Sequence, residues 1–168
     1  MKEYNVHERE LNATAEQAGA LLDSLSSPKD ALWPGGSWPR IKLDRPLGVG
    51  AAGGHGPIRY HVEDYSPGKS IRFRFTSPKG FDGFHCFEIS GVDGKTALLR
   101  HTIKMNTRGM AVLLWPFFIR PLHDALLEDL LANAEVSLGY EPRMKAWPLR
   151  VRILRWIMSG GKSRNQSV

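Results

Sequence analysis

The chain has 168 residues, 42% hydrophobic and 24% charged, which is the profile of one soluble domain with a single substantial core. Its single cysteine, Cys86, excludes a disulfide framework and any thiolate zinc cluster, so a cytoplasmic location is expected. A formal net charge of +6 points first to an anionic partner, yet residues 1–142 hold all seventeen carboxylates and sixteen of the twenty-three Lys and Arg, a net of −1, so no nucleic-acid groove is expected there.

The first residues carry no apolar run of the secretory kind. Residues 3–12 read as a strand with mixed faces. Thr14-Ala15-Glu16-Gln17 spells a capping box, and Ala15, Ala18, Leu21, Leu22 and Leu25 follow at helical spacing. Ser27-Pro28 predicts a second short helix, closed by turn residues between Leu32 and Pro39, with Trp33 and Trp38 as packing anchors. Gly48-Val49-Gly50-Ala51-Ala52-Gly53 spells a dinucleotide fingerprint. That chemistry needs a helix next, whereas Gly54-His55-Gly56-Pro57 leads into a strand, so no cofactor is expected. The segment reads either as a plain connection or as a mobile loop at the mouth of a cavity.

From residue 57 the hydrophobic period becomes two. Ile58, Tyr60 and Val62 share a face, as do Ile71, Phe73 and Phe75. Phe81, Gly83, His85, Phe87 and Ile89 form a third set, and Ala97, Leu99, His101, Ile103 and Met105 a fourth. Ser66-Pro67-Gly68, Ser77-Pro78-Lys79-Gly80 and Asp93-Gly94 are the turns between them. After Arg108 the period returns to helical and runs to about Leu138, disturbed by Pro116 and Pro121. The uncharged run from Gly109 to Ile119 is too short to span a membrane. The order predicts an α+β fold, an antiparallel sheet with its helices segregated from it.

This order resembles the helix-grip superfamily of START, Bet v 1-like and polyketide cyclase/dehydrase proteins (SRPBCC). The resemblance covers residues 3–138. It rests on the element order, on Gly54-His55-Gly56-Pro57-Ile58-Arg59-Tyr60, Tyr65-Ser66-Pro67-Gly68 and Gly83-Phe84-His85, and on Arg120-Pro121-Leu122-His123-Asp124-Ala125-Leu126 followed by Glu128-Asp129-Leu130-Leu131. It implies a curved antiparallel sheet wrapped around a long C-terminal helix, two short helices after the first strand, and a deep apolar cavity. Members include carriers, receptors and enzymes, so no single reaction follows.

Strand parity turns His85 and His101 inward, and helical spacing puts His123 on the face of Ile119, Leu126, Leu127 and Leu130. Tyr60, Phe73, His85, Phe87, His101, Met105, His123 and Leu127 are therefore the candidate ligand-binding residues. His85, His101 and His123 are the candidate general acids or bases. The alternative is that each imidazole bonds a neighbour and only fixes the core. No carboxylate joins these histidines by pattern, so no metal is expected. His61 faces outward and His55 lies in the glycine loop. Asp124, Glu128 and Glu135 read as a solvated helix stripe. Cys86 falls on the outer parity of its strand, away from any histidine.

Residues 143–168 carry seven Lys and Arg and no acid, and form a basic amphipathic tail after the 1–142 domain. Its Trp147–Met158 stretch reads in two ways. It contacts an anionic membrane peripherally, or Leu149, Val151, Ile153 and Trp156 cover a patch of the body while the arginines stay wet. A frayed end is expected from Ser159. The expected function is binding or carriage of a small hydrophobic ligand, a lipid, polyketide or aromatic metabolite. The alternatives are a cyclase/dehydratase-type enzyme using an inward histidine and a membrane-associated module working through the tail. The oligomeric state is left open.

Overall fold

The computed structural model describes residues 1–160 and Gln166; Lys162, Arg164 and most of the end expected to fray lie outside the described residues. The period-two segments form β1 (Lys2–Leu11), β4 (Ile58–Ser66), β5 (Ser70–Ser77), β6 (Phe81–Asp93) and β7 (Thr96–Thr107). Two short strands, β2 (Lys42–Leu43) and β3 (Ala52–His55), complete one antiparallel sheet in the order β1-β7-β6-β5-β4-β3-β2. Register shifts in the β4–β5 pair bend that ribbon. Helix α1 (Ala15–Asp23) opens with the expected capping box: Thr14 Oγ1 accepts from the Gln17 amide, and Gln17 Oε1 accepts from the Thr14 amide.

The C-terminal helical run is built in three pieces, α2 (Ala111–Leu114), a π-helical turn (Trp115–Ile119) and α3 (Arg120–Ser137). Pro121 has no N–H, so it can bond neither the Phe117 carbonyl four residues back nor the Pro116 carbonyl five back. The Arg120 amide reaches back to the Trp115 carbonyl instead. α4 (Leu149–Met158) packs on α3, and its Arg150 guanidinium donates to the two carbonyls that Pro121 leaves open. The core lies between the sheet and α3, where Ile71, Phe73, Leu126, Leu127 and Leu130 are buried, each burial worth about 1.5–3 kcal/mol. This is the sheet-over-helix arrangement that the resemblance implied.

Four local features differ from the sequence expectations. Residues 27–33 form turns, not a second short helix, because the Asp30 carboxylate takes the amides of Ser26, Leu32 and Trp33 at 2.9–3.0 Å. The glycine run is only partly a loop: residues 48–51 turn, whereas Ala52–His55 pairs with β4 and its Gly53 and Gly54 also pair with β2, where a Cβ at Gly53 would lie 1.9 Å from the Lys42 carbonyl. Cys86 keeps its outward parity yet is buried, and burial pushes its thiol up to about 11. Of the four tail residues expected to cover the body, only Val151 is buried.

Candidate functional site

The alternation of β5, β6 and β7 turns every second residue toward α3, among them Phe73, Phe75, Phe81, His85, Phe87 and His101. Phe87 pairs with His101 and His85 with Ile103 across β6–β7, so the two histidines lie on one diagonal of the same face. Phe73 pairs with His85 across β5–β6 and stacks on its ring at 4.8 Å. Between this face, α3 and the turns around Trp38 and Pro57 lies a cavity of about 120 Å³. That is close to the size of a cavity that admits one aromatic ring. Pro39, Gly56, Pro57 and Met158 are exposed as well as lining it, and they mark its mouth.

His85, His101 and His123 line this cavity, as do Phe87 and Leu127. The other candidates do not. Tyr60 and Phe73 are buried behind the His85 ring, against which both pack at 4.8 Å. Met105 fills the space over Gly83, where a Cβ would come within 2.4 Å of its own. His55, assigned to a loop by sequence, also lines the cavity and bonds the Tyr60 hydroxyl at 2.9 Å. Phe75, Phe81 and Trp115 complete an aromatic wall. Phe75 and Phe81 were legible as inward-facing, but their parity did not distinguish wall from interior.

His85 Nδ1 and His101 Nε2 lie 3.2 Å apart and share one hydrogen bond. Burial holds both rings far below the ordinary histidine pKa, and neighbouring imidazoles add to the effect, so both are neutral at pH 7. A neutral imidazole carries one N–H. Whichever ring donates, the pair therefore leaves one free donor and one free acceptor. Those atoms, His85 Nε2 and His101 Nδ1, are buried with no partner among the described residues. His123 Nε2 is the third such atom. Burial lowers the His123 pKa as well, against the opposing pull of Asp124, whose Oδ1 lies 3.5 Å from His123 Nδ1. His55 is lowered to about 3, by burial first and then by His123 and Arg59.

Behind His123 the expected solvated stripe is a paired seam. β1 turns Asn5, His7 and Arg9 inward and leaves Tyr4 and Val6 exposed, the reverse of the usual pattern. Alternate strand residues advance about 6.6 Å and helix residues four apart about 6 Å, so His7 and Arg9 stay in step with Asp124 and Glu128, and the long Arg9 side chain also reaches Glu135. Asn5 donates to Asp124 at 3.0 Å, and His7 bonds Asp124 at 3.0 Å and Glu128 at 3.1 Å. Arg9 bonds Glu128 and Glu135, each at 3.0 Å, and Arg143 closes the row on Glu135. Burial opposes charge on His7, but Asp124 and Glu128 outweigh it and raise its pKa. Sequence reading missed His7; the matching cationic and anionic rows on β1 and α3 were the available signal.

His7, His123 and Asp124 bring metal-ligand-type atoms within 4.8 Å of one another. Both His7 nitrogens are already taken by carboxylates, so a bound cation would have to displace a proton held there by two charges. Among the described residues no helix is long and apolar enough to cross a membrane.

No protein-family model matches the chain, and no curated protein matches it. Solved structures do. Norcoclaurine synthase from Thalictrum flavum, in complex with dopamine and hydroxybenzaldehyde, superposes with a TM-score of 0.61 at 13% identity, over 85% of this chain and 90% of that one. CalU16 from Micromonospora echinospora gives 0.59 at 13% identity, over 95% and 88%. A conserved protein of unknown function from Enterococcus faecalis gives 0.59 at 15% identity, over 96% and 88%. The likeness is one of fold, the Bet v 1-like helix-grip architecture.

Proposed function

We propose that the cavity binds a small, single-ring, mainly apolar ligand bearing a hydroxyl or carbonyl group. The observation that carries this is the set of three buried imidazole nitrogens, on His85, His101 and His123, left unpaired in an otherwise aromatic and aliphatic wall. Each unpaired buried polar atom costs about 1–3 kcal/mol, which a ligand hydroxyl or carbonyl would recover. A volume near 120 Å³ favours one aromatic ring over a lipid or a polyketide chain. Norcoclaurine synthase, held with dopamine and hydroxybenzaldehyde, is a case of one-ring ligands on this fold. Tyr60 and Phe73 would act by holding the His85 ring in place.

Titration calorimetry with toluene, phenol and 4-hydroxybenzaldehyde tests this reading. Phenol and the aldehyde are expected to bind at least about tenfold more tightly than toluene, one hydrogen bond's worth, and the double substitution His85→Phe with His101→Phe to reduce the preference. Equal affinities for all three, or no binding of any, would overturn it.

A second reading is favoured by one contact. Asp124 backs His123 Nδ1 while Nε2 stays open, the arrangement of a carboxylate-oriented general base. Such a base would take a proton from the bound ligand, in a cyclase- or dehydratase-type step. On a ligand found by the titration, His123→Gln is then expected to abolish turnover while leaving binding within a few-fold; equal turnover in the two proteins would dismiss the base.

A further inference from the structure

The helix α4 presents its apolar side to solvent. Leu149, Ile153 and Trp156 recur at four- and three-residue steps, one face of a helix, and Ile157 lies beside them. Their exposures are 68%, 50%, 56% and 61%, whereas Val151 and half-buried Arg155 point the other way into the body. Arg155 is the reason for this orientation. Its guanidinium lies between the Trp38 and Trp147 rings, 4.0 and 4.2 Å from their centroids, and bonds the Ser37 carbonyl. The cation therefore occupies the inner face and the hydrophobic residues the outer one, opposite to a helix that simply covers a core.

A second exposed apolar group adjoins it. Phe117 and Phe118 in the π-helical turn are 55% and 50% exposed, and Arg150 ties α4 to that turn through the Pro116 and Phe117 carbonyls. Exposed apolar residues grouped like this mark an interaction surface. Within these two segments the charge has one sign, and Asp124 and Glu128 in the groove beside them are already paired with His7, Arg9 and Arg120. There is no acid in residues 107–123 or 143–168, while Arg150 and Arg152 flank the apolar face of α4 on its two sides and Lys145 is exposed nearby.

From this we infer that α4 and the Trp115–Ile119 turn form a docking face for an anionic lipid surface, with Trp156, Ile153 and Phe117 entering the headgroup boundary and Arg150 and Arg152 meeting lipid phosphates. The occupant follows from the pairing of an aromatic and aliphatic face with a rim of cations from segments that hold no acid, which matches an anionic bilayer surface. A second copy of this chain would bring the same cations against one another. Met158, the last residue of the same helix, also lines the mouth of the cavity.

The test is co-sedimentation of the full chain with phosphatidylcholine vesicles and with mixed phosphatidylcholine–phosphatidylglycerol vesicles. Binding is expected to the mixed vesicles, to weaken with salt, and to be much lower on phosphatidylcholine alone. Ile153→Ser with Trp156→Ser is expected to abolish it, and Arg152→Gln to weaken it about five-fold, the worth of one basic residue at such a surface. Thermal melts of both variants check that the fold is retained; if the serine pair unfolds the chain, Phe117→Ser with Phe118→Ser replaces it. No binding to the mixed vesicles would overturn the inference. So would binding that survives both pairs of serines, or sedimentation equilibrium showing a dimer that the serine substitutions dissociate.

Discussion

His7 and His123 meet edge to face, ring centroids 5.8 Å apart, and both reach the same carboxylate, Asp124. In the β1–α3 seam, His7 has both ring nitrogens bonded and its pKa raised. On the cavity side, His123, His85 and His101 each keep a nitrogen unpaired and have lowered pKa values. Burial alone does not separate the two kinds of imidazole. The separating feature is whether the fold supplies a partner for every nitrogen, and where it does not, a ligand has something to gain. The seam accordingly belongs to stability and the cavity to recognition.

Substitutions in the seam are expected to cost more than a substitution in the cavity. Glu135→Ala strips Arg143 of its carboxylate and Arg9 of one of two, and is expected to cost about 3 kcal/mol. In a thermal melt that is a drop of roughly 6–12 °C, and an unchanged midpoint would mean that the seam does not hold α3 to β1. His7→Phe leaves Asp124 and Glu128 without their shared cation, for about 2 kcal/mol in urea unfolding. His101→Phe removes one unpaired buried nitrogen but takes from His85 Nδ1 its only partner, so the empty protein is expected to lose about 1 kcal/mol, less than either seam substitution.

Acid titration sharpens the same contrast. Below pH 6.5 the unfolded chain protonates His55, His85, His101 and His123 while the folded chain does not, so stability is lost as pH falls. Each such histidine adds up to about 1.4 kcal/mol per pH unit to that slope. His7 works in the opposite direction: its contribution is whole below 6.5 and is lost as pH rises through its raised folded value. Urea midpoints measured across pH 5–8 should therefore show a shallower acid limb for His101→Phe and a shallower neutral limb for His7→Phe. Parallel curves would mean that the two imidazoles are not held in different charge states.

The inward faces of β4 to β7 were legible because one face of each strand is apolar, and a period-two pattern then has a single meaning. The same rule failed for β1, whose inner residues Asn5, His7 and Arg9 are polar because they face carboxylates that α3 supplies from more than a hundred residues away. Asp124, Glu128 and Glu135 were misread as a wet stripe for the same reason: a charged row looks alike whether it meets water or an opposite row. Parity found His85, His101 and Phe87 but could not separate cavity wall from the layer behind it, where Tyr60 and Phe73 lie. His55 reached the cavity through a short strand whose glycines are there for close backbone contact, and glycines carry no hydrophobic period to read.

The bonds from Arg150 to the carbonyls of Pro116 and Phe117 attach the last helix to main chain rather than to side chains. These bonds depend on a proline at 121 that leaves the carbonyls open and not on the side chain at 118, while the Phe117 ring, 5.8 Å from the Arg150 guanidinium, adds to the attachment. Beyond Phe117, the outer surface of this corner is thus free to drift in sequence, or to be redesigned for a different bilayer or a different partner, without loosening the tail. Restoring an N–H with Pro121→Ala would do the opposite, keeping the surface chemistry and giving the tail a competitor for its anchor.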